Sequence, residues 1–469
     1  MKEKIKMSDF NQKLNPPPFK IKVIEPIKKT TRGERRKWLE EAGYNFFNIA
    51  AENIYIDLLT DSGTSAMSDY QWAGIMMGDE SYAQCKNFFN FQGIIRDITG
   101  YKYVIPTHQG RSAENLICYA FDLDHTKITV SNQFFDTTRA NIEISGARAL
   151  DFVIQEAYKP SLIHDFKGNI DTMALENTIQ NEGNVSLIIL TVTNNAGGGQ
   201  PVSLANIAEV SKIAKKNNIP FFLDAARFAE NAYFIKLREK EYQHLSPKEI
   251  AKKMFSYANG CIVSAKKDGL VNIGGFIALN DEQIYRRITE RMTVMEGFPT
   301  YGGLAGRDLE AIARGLTEVL QEDYLEYRHQ QLEYLGKGLE KAEVPFLKPV
   351  GGHSINIDAK SFLPHIPQSQ FPGWALTVAL YEYYGIRAAE LGSVAFGRQQ
   401  EDGKWIFPEL EQVRLAIPRR VYSQEHLNYV IDSVVDLYKN RTKITGMKIT
   451  YDPGVLRHFT ARFIPIVKE

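Results

Sequence analysis

Six short apolar runs alternate along the middle of the chain with stretches of helical spacing. The runs cover residues 103–106, 127–130, 185–192, 219–223, 260–263 and 274–279. Between the third and fourth runs, apolar residues recur at intervals of three and four over residues 203–218, as in an amphipathic helix. Alternating buried strands and helices predict a mostly parallel sheet covered by helices on both faces, which is the α/β class.

The pattern changes after about residue 320 and predicts a second domain. Long helical patterns and short strand-like pieces follow there, at residues 322–342, 354–357, 413–417 and 423–439. A chain of 469 residues is also too long for one small core. We predict a large domain over residues 58–320 and a smaller α+β domain over residues 321–469. Residues 1–57 are expected to form an N-terminal arm, which contains Pro16, and part of the small domain.

Charge and composition exclude several classes of protein. Lys and Arg number 56 and Asp and Glu number 56, so no net field favours nucleic acid or an anionic membrane. The three cysteines have neither a disulfide nor a zinc-ligand spacing. The start lacks the apolar core of a signal peptide, and the charge-free window 185–208 is broken by glycines and Pro201. We expect a cytoplasmic protein that binds neither nucleic acid nor membrane.

Two adjacent lysines, Lys266 and Lys267, follow the apolar run at residues 260–263 and Ser264. A lysine at the end of a buried strand is a candidate nucleophile, because partial burial or a second cation lowers the pKa of its amine. Lys266 would be that second cation. The competing interpretation is a solvated lysine pair at a strand end, and this stretch alone favours it.

Pyridoxal phosphate requires a lysine, an acid for its pyridine nitrogen, an anion site and an aromatic ring to stack on. Asp224 is a candidate acid, since it ends the run at residues 219–223, and ligands bind at such strand ends in open α/β sheets. Taken alone, Asp224 is better explained as the N-cap of a helix.

Weaker signals exist for the anion site and the stacking ring. Gly110 and Arg111 follow the run at residues 103–106 and precede a helical stretch, and a helix N-terminus with an arginine binds anions. Phe134 and Phe135 follow another run and could stack on a ring, although most aromatic residues in such places belong to the core.

Seven blocks of the sequence resemble the β-eliminating lyases that use pyridoxal phosphate, a family whose members cleave tryptophan or tyrosine. The blocks occur in the family's order, at residues 54–64, 77–83, 106–111, 224–227, 264–268, 298–303 and 457–461. The resemblance implies fold type I of the enzymes dependent on pyridoxal phosphate (aspartate-aminotransferase-like), with a large and a small domain. It also implies a homotetramer that requires a monovalent cation of the potassium type, K+.

The resemblance further implies which residues bind the cofactor. Lys267 would hold pyridoxal 5′-phosphate and remove the Cα proton, with Lys266 as a neighbouring charge. The other expected contacts are Gln109, Gly110, Arg111 and Ser264 for the phosphate, Phe135 for the ring face, Asp224 for the pyridine nitrogen, and Arg227 and Asn195 for the ring oxygen. The glycine-rich loop departs from the family pattern by one residue, so Asn194 could replace Asn195.

Substrate and cation contacts are implied in the same way. Arg414 would bind the substrate carboxylate, a bidentate role that suits arginine. The side chain of Glu80, with the backbone carbonyls of Gly63 and Asn272, would hold the monovalent cation. Tyr82 is the first candidate for the acid that protonates the leaving group.

Three positions distinguish the two member activities, and here they hold Asp136, Leu391 and His458, as in members that cleave tryptophan. A phenol hydroxyl favours a donor or cation opposite it, and Leu391 provides neither. An indole N–H favours an acceptor, which the Asp136 carboxylate provides. We therefore predict α,β-elimination of L-tryptophan to indole, pyruvate and ammonia, with Lys267, Tyr82, Asp136 and His458 catalytic. Cleavage of tyrosine, and less strongly a fold-type-I aminotransferase, are the alternatives.

Overall fold

The fold was described from a computed structural model, which covers residues 17–400, 402–454 and 456–467. The first part of the predicted arm, including Pro16, lies outside these residues. The strands are β1 Ile56–Asp57, β2 Tyr103–Thr107, β3 Ile128–Ser131, β4 Arg148–Asp151, β5 Val185–Thr191, β6 Phe221–Asp224, β7 Gly260–Ser264, β8 Gly275–Leu279, β9 Ser354–Asp358, β10 Ile386–Arg387, β11 Ala389–Leu391, β12 Arg398–Gln399, β13 Trp405–Ile406, β14 Gln412–Ala416, β15 Met447–Tyr451 and β16 Arg462–Pro465.

Helices connect most of these strands. They are α1 Arg32–Glu41, α2 Asp69–Met76, α3 Lys86–Thr99, α4 Gly110–Ala120, α5 Asp136–Ile144, α6 Thr172–Glu182, α7 Leu204–Lys216, α8 Phe228–Arg238, α9 Pro247–Ser256, α10 Glu282–Met295, α11 Gly306–Glu318, α12 Glu322–Lys341, α13 Ala359–Phe362, α14 Pro372–Tyr384, α15 Ser393–Phe396, α16 Gln424–Lys439 and α17 Arg457–Thr460.

A seven-stranded sheet with the order β2-β8-β7-β6-β5-β3-β4 organises the first part of the chain. The five strands β4, β3, β5, β6 and β7, in their order across the sheet, are parallel to their neighbours. Strand β8 is antiparallel to both β7 and β2. All six apolar runs form strands of this sheet, so the α/β prediction is confirmed. The edge strand β4 was not predicted, because Arg148–Asp151 is only partly buried and has a charged residue at each end.

Successive residues of the central strands point to opposite faces of the sheet, and each face has its own core. In β5, Ile188 and Leu190 belong to one core with α3, α7, α9 and α11. Leu187 and Ile189 belong to the other, with α4 and α10. Burial on both faces explains why these strands read as continuous apolar runs instead of alternating ones.

A second group of elements surrounds the antiparallel sheet β11-β14-β9. Its core joins α12, α14 and α16 to residues near the start of the chain, such as Leu39 and Ile56. Helix α12 passes from one core to the other, since Leu325 packs in the first and Leu335 in the second. The domain limits at residues 57/58 and 320/321 stay a prediction. No helix in the described ranges is long and apolar enough to cross a membrane.

Candidate active site

A cavity of about 290 Å³ lies where β5, β6 and β7 end, facing β11, β14 and α17 of the second group. Strands β6 and β7 deliver Asp224 and Ser264 as their last residues. The predicted site residues that line the cavity are Gln109, Gly110, Arg111, Phe135, Asp136, Asn195, Asp224, Arg227, Ser264, Lys267, Arg414 and His458. Residues from segments far apart in sequence are therefore brought together at the carboxyl edge of the sheet.

Lys267 follows β7, and its amine points into the cavity. Its Nζ donates to the Ser264 hydroxyl at 3.0 Å and lies 5.9 Å from the centre of the Phe135 ring. Burial, and then the Arg227 cation, lower the pKa of Lys267 to about 8. Neither Lys267 nor Lys266 is fully exposed, so the interpretation as a solvated lysine pair is wrong. Near neutral pH, a larger share of this amine is neutral and nucleophilic than of an ordinary lysine.

Asp224 is buried at the end of β6, close to the amine. Burial raises the pKa of its carboxyl, and the Lys267 cation opposes that rise. Helix α8 begins at Phe228 with Arg227 as its N-cap, so the interpretation of Asp224 as an N-cap is also wrong. Asp224 is free to accept from a protonated ring nitrogen.

The N-terminus of α4 abuts the end of β7. Gly110 is the first residue of the helix, and a Cβ atom there would lie 2.6 Å from the Cβ of Ser264. Only glycine permits this approach, which brings helix amides, the Ser264 hydroxyl and Arg111 to one end of the cavity. Such a group of donors suits an anion such as a phosphate.

Arg227 is held by a buried ion-pair network that sequence reasoning missed. Its Nε and Nη2 donate to the two oxygens of Asp61 at 2.9 and 2.7 Å. Arg419 donates to Asp61 at 2.8 Å and to Asp268, the residue after Lys267, at 3.2 Å. Burial alone would raise the pKa of Asp61, but Arg227, His353 and Arg419 hold it well below its usual range. The network fixes both the Arg227 guanidinium and the segment that carries Lys267.

Arg414 reaches the cavity from β14. Its Nη1 donates to the Asn195 side-chain oxygen at 2.6 Å and its Nη2 to the Leu59 carbonyl at 2.8 Å. Its buried Nε has no partner within the described residues. Asn194 instead bonds to Gln133 and Gly197 at 2.8 Å each, and so stabilises its own loop. Asn195 is therefore the residue of this pair that lines the cavity.

The three positions that we expect to distinguish the two activities all line this cavity. Asp136 begins α5, and its Oδ2 lies 3.6 Å from Nε2 of His458 on α17. Burial lowers the pKa of His458, and the Asp136 carboxylate opposes that effect. Leu391, the last residue of β11, lines the same cavity. The cavity therefore contains an acceptor, a titratable ring and an apolar side chain from these three residues.

The structure does not bring the remaining predicted residues to the cavity. Tyr82 is 70% exposed and packs against the rings of Phe298 and Tyr301. Tyr82 does not line the cavity of its own chain, so within one chain it is not close to a leaving group bound there.

Of the predicted cation ligands, Gly63 and Asn272 lie together, and Glu80 is bonded elsewhere. Glu80 forms an ion pair with Arg307 at 3.1 Å and accepts the Gly306 amide at 3.2 Å. The carbonyl of Gly63 accepts from the Asn272 side chain at 2.9 Å. Across residues 17–400, 402–454 and 456–467, no hydrogen bond or ion pair joins Glu80 to either, and no group of three or more His, Cys, Asp or Glu side chains could hold a metal ion.

Glu114 is a further cavity residue that sequence reasoning missed. It accepts from the Thr137 hydroxyl at 2.8 Å, and burial, together with the nearby Asp224 carboxylate, raises its pKa to about 7. A usable signal existed, because Glu114 falls on the apolar face of α4 with Ala113 and Ile117. Asp61 and Arg419 had no such signal, since their partners come from distant segments.

The donor set fits pyridoxal phosphate. The cavity offers an amine, a carboxylate, an aromatic ring and a helix N-terminus, and these match the aldehyde, pyridine nitrogen, ring face and phosphate of that molecule. The unpartnered Nε of Arg414 leaves a cation available for a carboxylate.

Comparisons with known proteins place the chain in a family. The profile of the Beta-eliminating lyase family matches residues 57–433. A tryptophanase from Salinibacter ruber is 53% identical over 453 residues, covering 96% of each chain. A tyrosine phenol-lyase from Symbiobacterium thermophilum is 50% identical over 451 residues, covering 96% of this chain and 98% of its own.

Solved structures extend the comparison to the fold. A serine palmitoyltransferase from S. paucimobilis with bound PLP–myriocin superposes with a TM-score of 0.58, at 10% identity, over 88% of this chain and 97% of its own. The SepCysS–SepCysE N-terminal domain complex superposes with a TM-score of 0.56, at 15% identity, over 83% and 96%. The fold is therefore type I of the enzymes dependent on pyridoxal phosphate, as predicted. The matched profile and the relatives at about 50% identity show that the chain belongs to the β-eliminating lyase family.

Proposed function

We propose that the protein eliminates indole from L-tryptophan, with pyruvate and ammonia as the other products. The observation that carries this proposal is that the Asp136–His458 pair and Leu391 line one cavity. Relatives named for tryptophan and for tyrosine are almost equally similar, at 53% and 50% identity, so overall similarity does not select the substrate.

The proposed cofactor is pyridoxal 5′-phosphate, which when bound supplies an aldehyde for an amine and a ring that withdraws electrons. Lys267 would be the amine that holds it. The remaining contacts would be Gln109, Gly110, Arg111 and Ser264 at the phosphate, Phe135 on the ring face, Asp224 at the pyridine nitrogen, and Arg227 and Asn195 at the ring oxygen.

The residues around Lys267 are suited to moving a proton at the substrate Cα atom. Arg414 would bind the substrate carboxylate and so orient the Cα–H bond toward the Lys267 amine. An amine with a pKa of about 8 takes up a proton readily near neutral pH. The ion pair between Arg227 and Asp61 keeps the cationic side of the cavity fixed during this transfer.

Asp136 is proposed to accept the indole N–H, with His458 assisting, and Leu391 to pack against the ring. Indole leaves after protonation at its C3 atom, for which Tyr82 is the proposed acid. Because Tyr82 lies outside the cavity of its own chain, this role requires a neighbouring copy to supply it. A homotetramer, as proposed from the family resemblance, offers such copies.

A monovalent cation, K+, is proposed to bind Glu80 and the carbonyls of Gly63 and Asn272. Since Glu80 contacts neither of the other two within the described chain, these ligands too would come from different copies. Replacing K+ by a bulky ammonium ion should reduce turnover, and addition of K+ should restore it. Turnover that is indifferent to the cation would contradict the proposal.

A variant at the distinguishing position tests the proposed substrate. Leu391→Arg places a cation where a phenol hydroxyl would lie, so it should lower kcat/KM for L-tryptophan and raise it for L-tyrosine. The same ratio of the two constants in variant and wild type would show that Leu391 does not select the substrate. Leu162→Arg, at an exposed leucine that does not line the cavity, is the control for the added charge.

A further inference from the structure

Two buried glutamates flank the turn that carries Leu391 into the cavity wall. Glu390 immediately precedes Leu391 in β11 and is 2% exposed, and Glu411 precedes β14 and is 1% exposed. Glu390 lines the cavity together with Leu391. Neither glutamate has a part in the proposed reaction, and burial of two acids is costly without a compensating role.

Both carboxyl groups bond to the first residues of α15. Glu390 accepts the amides of Val394 and Ala395 at 2.9 and 3.0 Å. Glu411 accepts the amide of Ser393 at 3.1 Å and its hydroxyl at 2.5 Å. The start of α15, and with it the end of β11, is therefore anchored by both acids.

The two carboxyl groups lie close to each other. A Cβ atom on Gly392 would be 2.6 Å from Oε1 of Glu411 and 2.8 Å from Oε1 of Glu390. Two ionised carboxylates so close together and buried repel each other, so such a pair is stable when it holds one proton. Burial, and then the neighbouring Glu411, raise the pKa of Glu390 well above its usual value.

The hydrogen bonds favour Glu390 as the acid that holds the proton. Glu411 also accepts the amide of Gly373, at the N-terminus of α14, and the side-chain amide of Gln368, both at 3.3 Å. Four neutral donors at one carboxyl group and a helix N-terminus suit the ionised form. Within the described residues, Glu390 accepts backbone amides alone, from Val394, Ala395 and Gly392, and no hydroxyl or side-chain amide.

Cations on the neighbouring elements donate to groups other than the two glutamates. Arg414, opposite Ala389 in the sheet, donates to Asn195 and Leu59. Arg457 on α17 forms an ion pair with Asp452 and donates to backbone carbonyls next to α15.

The remaining titratable groups nearby are also paired with each other. His458 on α17 faces Asp136 on α5 across the cavity. In the part of the chain that the structure describes, no ion pair includes Glu390 or Glu411. The shared proton is thus what offsets the second carboxylate.

We propose that the Glu390–Glu411 pair positions Leu391 in the cavity wall, with Glu390 as a neutral acid whose ionisation releases the turn. This inference rests on the proposed function, in which Leu391 contacts the aromatic leaving group. An ionised Glu390 is repelled by Glu411 and moves toward water in the cavity, so the amides of α15 lose their acceptor. An aromatic substrate then binds less well at alkaline pH, whereas S-methyl-L-cysteine, whose leaving group is too small to reach Leu391, is unaffected.

The test compares kcat/KM for L-tryptophan with kcat/KM for S-methyl-L-cysteine from neutral to alkaline pH. Their ratio cancels the proton transfers that both substrates share. We expect the ratio to fall about tenfold for each pH unit above the ionisation of Glu390 in the wild type. It should stay flat in Glu390→Gln, which cannot ionise, and fall as in the wild type in Glu409→Gln, an exposed control two residues before Glu411. A flat ratio in the wild type, or a fall in Glu390→Gln, would overturn the proposal.

Two further measurements keep the outcome decisive. In Glu411→Gln the fall should occur at lower pH, because the like charge that opposes ionisation of Glu390 is gone, and an unchanged or higher pH contradicts the proposal. If neither substrate is turned over, the proposed elimination is wrong. Infrared spectra then test independently whether Glu390 is protonated. At neutral pH the wild type should show one C=O stretch of a protonated carboxylic acid that is missing from Glu390→Gln, in which other buried acids such as Glu114 still contribute their own bands. Identical spectra overturn the proposal.

Discussion

Lys266 and Lys267 are neighbours in sequence but differ in what their amines contact. The Lys267 amine bonds to Ser264 beneath the Phe135 ring, whereas burial and Arg111 lower the pKa of Lys266 at the cavity rim. We expect Lys267→Ala to lower kcat by at least ~10²–10⁴, the usual contribution of a positioned acid or base. Lys266→Ala should lower it far less. Steady-state pyruvate release measures both, and equal losses would contradict a distinct role for Lys267.

The lowered pKa of Lys267 predicts how fast the cofactor-free protein captures pyridoxal phosphate. Only the neutral amine attacks an aldehyde. The pKa of Lys267 is about 8, well below that of an ordinary lysine, and the neutral form predominates once the pH exceeds this pKa. The capture rate should rise with pH and level off just above that pKa. Stopped-flow absorbance on mixing measures it. A rate that continues to rise to the pKa of an exposed lysine would mean that Lys267 is not perturbed in solution.

Individual residues were predictable from sequence where chemistry follows a strand end. Asp224 and Lys267 became candidates in this way, although the pattern alone favoured an N-cap and a solvated lysine pair, and the family resemblance decided for a cofactor site. Arg419 does not, since its partners Asp61 and Asp268 come from segments far away in the chain. Long-range ion pairs depend on tertiary packing, which local pattern does not encode.

At the scale of elements, the approach of α4 to β7 depends on Gly110. Gly110→Ala adds a Cβ atom 2.6 Å from the Ser264 Cβ, so it should destabilise the protein by about 1–3 kcal/mol and weaken binding of the phosphate. The control is Gly93→Ala in α3, where nothing lies within 4 Å, and there alanine should stabilise by about 0.5–1 kcal/mol. Urea unfolding measures both. If Gly110→Ala were as stable as the wild type, the close contact between α4 and β7 would not be needed.

Strands buried on both faces were the easiest elements to predict, because burial makes them continuously apolar. Strand β4 escaped for the opposite reason, since it lies at the edge of the sheet and is partly exposed. The short helix α15 has only four residues, too few to show a periodic pattern. The two buried glutamates that bond to it lie outside the helix and gave no signal either. Elements were therefore predictable to the extent that burial imposed a pattern on them.

At the scale of the whole molecule, Tyr82 outside its own cavity predicts that active sites are shared between copies. Tyr82→Phe and Lys267→Ala should each be inactive alone. If one copy supplies Tyr82 to the cavity of another, random mixing of the two variants restores about a quarter of the sites. Pyruvate release before and after unfolding and refolding the mixture measures this. If mass spectrometry detects mixed assemblies but the mixture is as inactive as each variant alone, sharing of Tyr82 is ruled out.

The central claim is that Asp136, His458 and Leu391 make this cavity select the indole leaving group. A competition assay tests it most directly, with L-tryptophan and L-tyrosine at equal concentration, the wild-type protein, pyridoxal phosphate and K+. We predict that indole is released in clear excess over phenol, with pyruvate equal to the sum of the two. Release of phenol in excess over indole would contradict the claim.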